Sequence, residues 1–317
     1  MEPRTVRALS ALAARNRVIT TRDAERAGVT GDELRAACAR GDLVRVRVDA
    51  YTTADRWAGL DDAERHRLRV LAAARRLRGP VFTHDSAAAL WRLPRIGPWP
   101  DAVHVSLPHG AGNRSSAGVR RHATPRAIGH VVTVDGVQVT GVARTVLDVA
   151  RTWEFAAALV AADHALHRAW ATPARLTTEL EAAGRGRGVR RARRVVDAAS
   201  ARSESVGESL SRARMIELGL PLPELQHVVE DDAGVVGRVD FWWPGLGLVG
   251  EFDGRLKYRA AGVPDGRPVE DRVWAEKRRE DRLRALGLSV VRWTWDTALD
   301  PDALRAVLGA CGVHPLA

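Results

Sequence analysis

The stretch "GRVDFWWPGLGLVGEFDGRLKY", residues 237–258, constrains the fold more than any other part of this 317-residue chain. Apolar residues flank a Pro244-Gly245 break, the pattern of two buried strands joined by a turn. On "LGLVGEFDG" a period of two puts Val249, Glu251 and Asp253 on one side and Leu248, Gly250 and Phe252 on the other. Asp240 precedes the turn on the neighbouring strand, which brings it towards Glu251. Carboxylates set into core-like strands repel one another and lose hydration, so they need a compensating charge. A hard divalent cation, Mg²⁺ or Mn²⁺, supplies it, since such ions take one or two carboxylates plus waters and substrate phosphates. An ion so placed activates water and stabilises charge on a scissile phosphate. An ion network through Arg238, Arg255 and Arg279 is the competing solution.

The basic residues sharpen the question. Of 49 Lys and Arg, only Lys257 and Lys277 are lysines, and both follow the acidic hairpin. A compact ammonium there could orient water or neutralise a transition state in a way a planar guanidinium does not. The net charge of +10 favours a polyanionic partner, with nucleic acid foremost, although heavy Arg use throughout the chain gives the same balance by composition alone. No window approaches the length of an uncharged membrane span, and the N-terminus lacks the apolar core of a signal peptide. Cys38 and Cys311 are far apart and show no ligand spacing. A reduced, cytoplasmic protein with no membrane partner is the expectation.

Residues 1–55 predict three helices and a hairpin. "RTVRALSALAARN" has a helical apolar face through Val6, Leu9, Leu12 and Ala13, and a short second helix runs from Thr20 or Thr21 to Gly28. Thr30 and Glu33 have capping-box spacing, and "LVRVRVDAYTT" alternates as a strand ribbon. The order predicts a winged helix-turn-helix. Arg35 and Arg40 fall on the exposed side of the third helix, and Arg45 and Arg47 on one face of the wing, as phosphate contacts. A small helical scaffold without DNA is the alternative.

Residues 58–183 predict a middle α+β domain with an Asp135-Gly136 hairpin turn. His84 and Asp85 read as helix-start capping groups, and Asp163, His164 and His167 as surface polar groups on one helix. Residues 184–202 form a basic linker or helix. There, Arg190 and Arg191 track phosphate or line a solvated face.

Residues 203–317 predict a helix carrying Glu208, strands near 225–231 and 235–242, the acidic strand, a helix, a strand and a last helix. Trp293 and Trp295 alternate in "RWTWD", on one strand face, for core packing or base stacking. Asp240, then Glu251-Phe252-Asp253, with Glu208 upstream, resembles the PD-(D/E)XK nucleases, in the branch similar to the very-short-patch-repair endonuclease. "VDFWWPGLGLVGEFDG" and "AEKRREDRLRALGLSVVRWTWD" carry the likeness, the second through Glu276, Arg279, Leu283, Gly287, Val291 and Arg292. It implies a restriction-endonuclease-like α/β/α domain, with Glu208, Asp240 and Glu251 on a metal, Asp253 beside them in the catalytic set, and Arg279 in support. Asp253 stands where the motif's lysine belongs, so either Lys257 or Lys277 covers for it, or the site only binds DNA. Over residues 1 to about 170, the winged helix with "THDSAAALWRL" and "GVARTVLDVAR" resembles the AbiEi-type antitoxins of type IV toxin–antitoxin systems. That likeness implies DNA and a cognate toxin as partners. A multidomain α+β protein follows, acting as a Mg²⁺-dependent DNA endonuclease or, alternatively, as a non-catalytic regulator using the nuclease fold as a binding module.

Overall fold

The computed structural model describes residues 3–106, 118–122, 130–254 and 269–316. Lys257 and Arg255 lie outside them. The chain is mixed α and β and divides into two compact units, residues 1–152 with 175–192, and residues 153–174 with 193–317.

The first unit opens with α1 (Pro3–Arg15), β1 (Ile19–Thr20), α2 (Thr21–Arg26), α3 (Gly31–Ala39), β2 (Leu43–Arg47) and β3 (Ala50–Thr53). Both short helices start on capping boxes, Thr20 with Asp23 and Thr30 with Glu33, which satisfy backbone N–H groups that helix geometry leaves unpaired. Gly28, at φ +77°, takes the left-handed conformation that lets the chain turn between them. Leu9, Ala13, Ile19, Ala24, Val29, Leu34, Ala37 and Leu43 form the core beneath a sheet of order β1-β3-β2.

The β2–β3 pairing corrects one expectation. The β2–β3 register shifts between Arg45 and Arg47, so the simple alternation that put both on one face fails. Arg45 stays exposed, whereas Arg47 is half-buried and donates to the Gly118 carbonyl at 3.1 Å.

Next come α4 (Ala54–Ala58), α5 (Asp62–Ala74), β4 (Val81–Phe82), α6 (His84–Leu90), β5 (Val103–Ser106), β6 (Val119–His122), β7 (Val131–Val134), β8 (Val137–Thr140) and α7 (Val142–Ala150). The five strands are ordered β6-β5-β4-β8-β7. Asp135 and Gly136 join β7 to β8 with φ of +50° and +77°, both positive as a tight two-residue hairpin turn requires. Val70, Phe82, Leu90, Val103, Val105 and Val139 are buried together between this sheet and its helices. His84 and Asp85 do not cap α6. Thr83 is the cap residue and makes no side-chain capping bond, while Asp85 is buried and pairs with Arg95.

Three helices then follow, α8 (Phe155–His167), α9 (Pro173–Ala182) and α10 (Val189–Ala198). The basic segment is thus helical: α10 buries Val189, Ala192 and Val195 and exposes Arg190 and Arg191. Asp163 on α8 is not a surface group but fully buried. Arg212 grips it with Nη2 at 2.8 and 2.7 Å from its two oxygens, and the Ser200 N–H donates to it at 2.8 Å.

Arg212 belongs to α11 (Val206–Glu217) in the second unit. That helix precedes β9 (Glu224–Asp231), β10 (Gly234–Trp243), a single 3₁₀ turn at Pro244–Leu246, β11 (Leu248–Phe252), α12 (Val269–Ala285), β12 (Ser289–Trp293), α13 (Trp295–Leu299) and α14 (Pro301–Gly309). The sheet order is β12-β11-β10-β9, antiparallel except for β11 with β12. The parallel pair needs a crossover, and α12 lies within it. Leu283 of α12 packs with Val239 and Val249. On α11, Gly207 sits against the Phe252 ring, and Ser211 accepts the Trp293 indole N–H at 2.8 Å. The strand ends at Trp293. Trp295 opens α13 instead of continuing the strand, and meets Phe252 edge-to-face at 5.2 Å.

Candidate functional site

Two sets of predicted residues are described, one in each unit. In the first unit, α3 buries Leu34 and Ala37 and turns Arg35, Ala36, Ala39 and Arg40 outward. Arg35 pairs with Asp32 and Arg40 with Asp42, both at exposed positions. Such surface pairs contribute little and yield readily to a stronger anion. With exposed Arg45 on β2, they give this segment accessible cations on the third helix and the strand that follows it.

In the second unit, Asp240 and Glu251 each come one residue beyond the paired Phe241 and Gly250, so they occupy neighbouring positions on adjacent strands. The Phe252 N–H donates to Asp240 Oδ2 at 2.9 Å. Glu208 is buried at the start of α11, where its Oε2 accepts the Glu204 N–H at 2.9 Å and the Gln226 amide at 2.8 Å. Burial, with Glu208 and Glu251 nearby, pushes the Asp240 carboxyl up to about 6. Asp240 therefore feels the two neighbouring carboxylates.

For Glu251 the compensation is an arginine network, whereas Asp240 and Glu208 are held by neutral donors. Glu251 Oε1 accepts Arg279 Nη2 at 2.5 Å and its Oε2 accepts Arg292 Nε at 3.0 Å. Arg292 also reaches Glu280 and Glu276, each at 2.7 Å. Arg279 continues to Glu276 at 3.3 Å. Arg238 takes no part in holding Glu251 and pairs instead with Glu204 at 2.6 Å. Arg292 was legible only as a motif position, because its role depends on the parallel pairing of β12 beside β11.

The remaining predicted residues separate. Asp253 lies past the end of β11, its N–H donating to the Trp293 carbonyl at 2.8 Å. Lys277 is exposed on α12 with its ammonium 5.5 Å from the Trp274 ring centre, away from the face that carries Arg279 and Leu283. Among the described residues, the one group of three or more ligand-type side chains with donor atoms all within 4.8 Å is not this one but His84, His104 and His122 of the first unit. Sequence reasoning missed it, because the three histidines are spread over 39 residues, with no ligand spacing between any two of them.

Comparison with known proteins places the N-terminal segment. Residues 7–54 match the family of AbiEi antitoxin transcriptional regulators, over the span of α1 to β3. Two uncharacterized proteins of Mycobacterium tuberculosis, MT2308 from strain CDC 1551 and Rv2248 from strain H37Rv, are each 32% identical over 190 residues. Each match spans 60% of this chain and 66% of the relative, just under two thirds of its length. The crystal structure of the Rv2827c protein of M. tuberculosis covers 62% of this chain and 77% of its own at 20% identity, with a TM-score of 0.38. No described helix is long and apolar enough to cross a membrane.

Proposed function

We propose that the protein is a DNA-binding transcriptional regulator of the AbiEi antitoxin kind. The match of residues 7–54 carries this reading, because it falls on the segment that presents Arg35, Arg40 and Arg45 to solvent. In this reading α1 to β3 form a winged helix-turn-helix, α3 lies in the major groove, and Arg45 on the wing contacts phosphate. Exposed Arg190 and Arg191 on α10 add phosphate contacts. The protein acts on cytoplasmic DNA, and the family makes a cognate toxin its second partner. Gel-shift and footprinting assays on the DNA upstream of its own gene test the proposal. A discrete footprint that Arg35→Ala with Arg40→Ala abolishes supports it. Binding no tighter than to unrelated duplex, or unchanged in the variant, would sink it.

A second reading gives the carboxylates a role, and the raised Asp240 is the observation that favours it. Glu208, Asp240 and Glu251 are the oxygen donors a Mg²⁺ or Mn²⁺ ion takes, and the ion would supply Lewis-acid stabilisation of a phosphodiester. Against turnover, both Glu251 oxygens are engaged by guanidiniums. A nuclease-like domain that binds without cutting is the form of this reading closest to the geometry. Plasmid nicking with Mg²⁺ or Mn²⁺, lost in Asp240→Asn and Glu251→Gln, would instead establish an active nuclease.

A further inference from the structure

Three histidines from three elements of the first unit meet at one point. His84 opens α6, His104 lies on β5 and His122 ends β6. In the parallel β5–β6 pair, His122 stands opposite Ser106, two residues along from His104, so both histidines occupy the same face. The His84 and His122 rings stack with centres 3.8 Å apart and planes 13° apart. The His104 ring centre is 5.0 Å from that of His122 and 5.7 Å from that of His84. One donor atom of each lies within 4.8 Å of the other two.

The cluster holds a buried ring nitrogen without a partner: the Nε2 of His122 makes no hydrogen bond among the described residues, while His104, 6% exposed, turns its Nδ1 towards the Asp85 carboxylate. His66 shows the contrasting case of a core histidine with a partner, its Nδ1 2.7 Å from the Pro100 carbonyl oxygen. Burial drives His84 and His104 down to about 3 and lowers His122 as well. The convergence of the three rings at one point, rather than their titration, is what suits them to share an ion.

Two carboxylates back the rings. Asp85 Oδ2 is 3.3 Å from His104 Nδ1; His84 Nδ1 is 3.1 Å from Thr83 Oγ1, with Asp148 Oδ2 beyond it at 3.9 Å. Arg144 Nε holds Asp148 from behind at 3.0 Å. Carboxylates placed behind ligating histidines fix ring orientation and raise ligand basicity. His84 also has a left-handed backbone, φ +48°, which a non-glycine residue adopts at a cost and which concentrates at functional sites.

We infer that His84, His104 and His122 form a binding site for one divalent transition-metal ion of the zinc class, with Asp85 and Asp148 as orienting carboxylates. Three imidazoles select a borderline ion over Mg²⁺ or Ca²⁺, which prefer oxygen. Three protein ligands leave a fourth position for water or an incoming donor. The site is independent of the DNA-binding and carboxylate residues.

The test uses the full-length untagged protein, stripped with chelator and titrated with Co²⁺ and then Zn²⁺. The expected result is one Co²⁺ per chain with the visible bands of a four-coordinate nitrogen-rich site, displaced by Zn²⁺, and a metal-dependent rise in melting temperature. Asp148→Asn should weaken metal affinity about 10–100-fold, as loss of an orienting carboxylate does elsewhere. His122→Gln, at a half-buried strand end, should abolish the cobalt bands while its circular dichroism stays that of the wild type. His314→Gln, at an exposed site, should bind as the wild type does. Substoichiometric uptake by the wild type, or unchanged cobalt spectra in both His122→Gln and His84→Gln, would overturn the inference.

Discussion

Arg279 Nη2 lies 2.5 Å from Glu251 Oε1, and this pair holds α12 to the acidic strand. The side chains are only 20% and 15% exposed, so solvent screens them weakly. Removing one member leaves a partly buried charge short of a partner. Arg279→Ala should lower unfolding free energy by about 2 kcal/mol, since Arg292 still holds the other Glu251 oxygen. Urea denaturation of Arg279→Ala, Glu251→Gln and the double variant gives the coupling between them. A coupling near zero would mean the pair contributes nothing to holding the helix in place.

Asp240 makes stability depend on pH in an unusual direction. Its carboxyl moves from 3.8 to about 6 on folding, mainly through burial. Between those values the folded state binds more protons than the unfolded chain, so stability falls as pH rises through the window. The full effect is at most about 3 kcal/mol, present as a penalty above pH ~6. Asp240→Asn should flatten the pH dependence between about 4 and 6 and leave the protein at least as stable at neutral pH. Chemical denaturation of both proteins across that range, with NMR titration of the carboxyl, checks the sign. A wild-type stability that rises across the window, with no change in the variant, would contradict it.

Arg35, Arg40 and Arg45 should each act as a phosphate contact, and Arg47 should not. An arginine on phosphate releases counterions, so its removal weakens binding to all sequences and reduces the salt slope by about 0.9 per contact. Arg47 is already engaged with the Gly118 carbonyl and half-buried. Fluorescence anisotropy with duplex DNA over a salt series should show the slope falling in Arg35→Ala and Arg45→Ala and unchanged in Arg47→Ala. Equal loss in all three would restore the shared strand face that simple alternation predicts.

The legible parts of the chain were those set by short-range rules. Thr30 and Glu33 announce a helix start because three-residue spacing is all a capping box needs, and Asp135-Gly136 announces a hairpin because both residues tolerate positive φ. Asp240 and Glu251 were legible as neighbours because one turn joins their strands. What stayed hidden required long-range pairing. Asp163 looked like a surface residue because its partner, Arg212, is 49 positions away on another helix. His84, His104 and His122 come together only through the order of a five-stranded sheet. The Arg47 displacement came from a single register shift, which no residue in "LVRVRVDAYTT" marks.

Among the described glycines of the second unit, Gly207 on α11 should be the least replaceable. It is buried, and a Cβ built there overlaps the Phe252 ring, which cannot swing aside easily because Trp295 meets it edge-to-face. The helix therefore approaches β11 at a distance only glycine permits. The same residue supplies Asp240's backbone donor, the Phe252 N–H, so any shift of this ring also disturbs the carboxylates. Gly207→Ala should cost about 1–3 kcal/mol through overpacking, despite alanine's better helix propensity. Gly219, at φ +65° with open space around it, supplies the comparison: alanine there meets only backbone strain of about 1 kcal/mol. Thermal and urea unfolding of the two variants separates the effects. If Gly207→Ala proves as stable as the wild type, α11 does not press on β11 as closely as these positions require. Fluorescence of the neighbouring tryptophans would then show no change either.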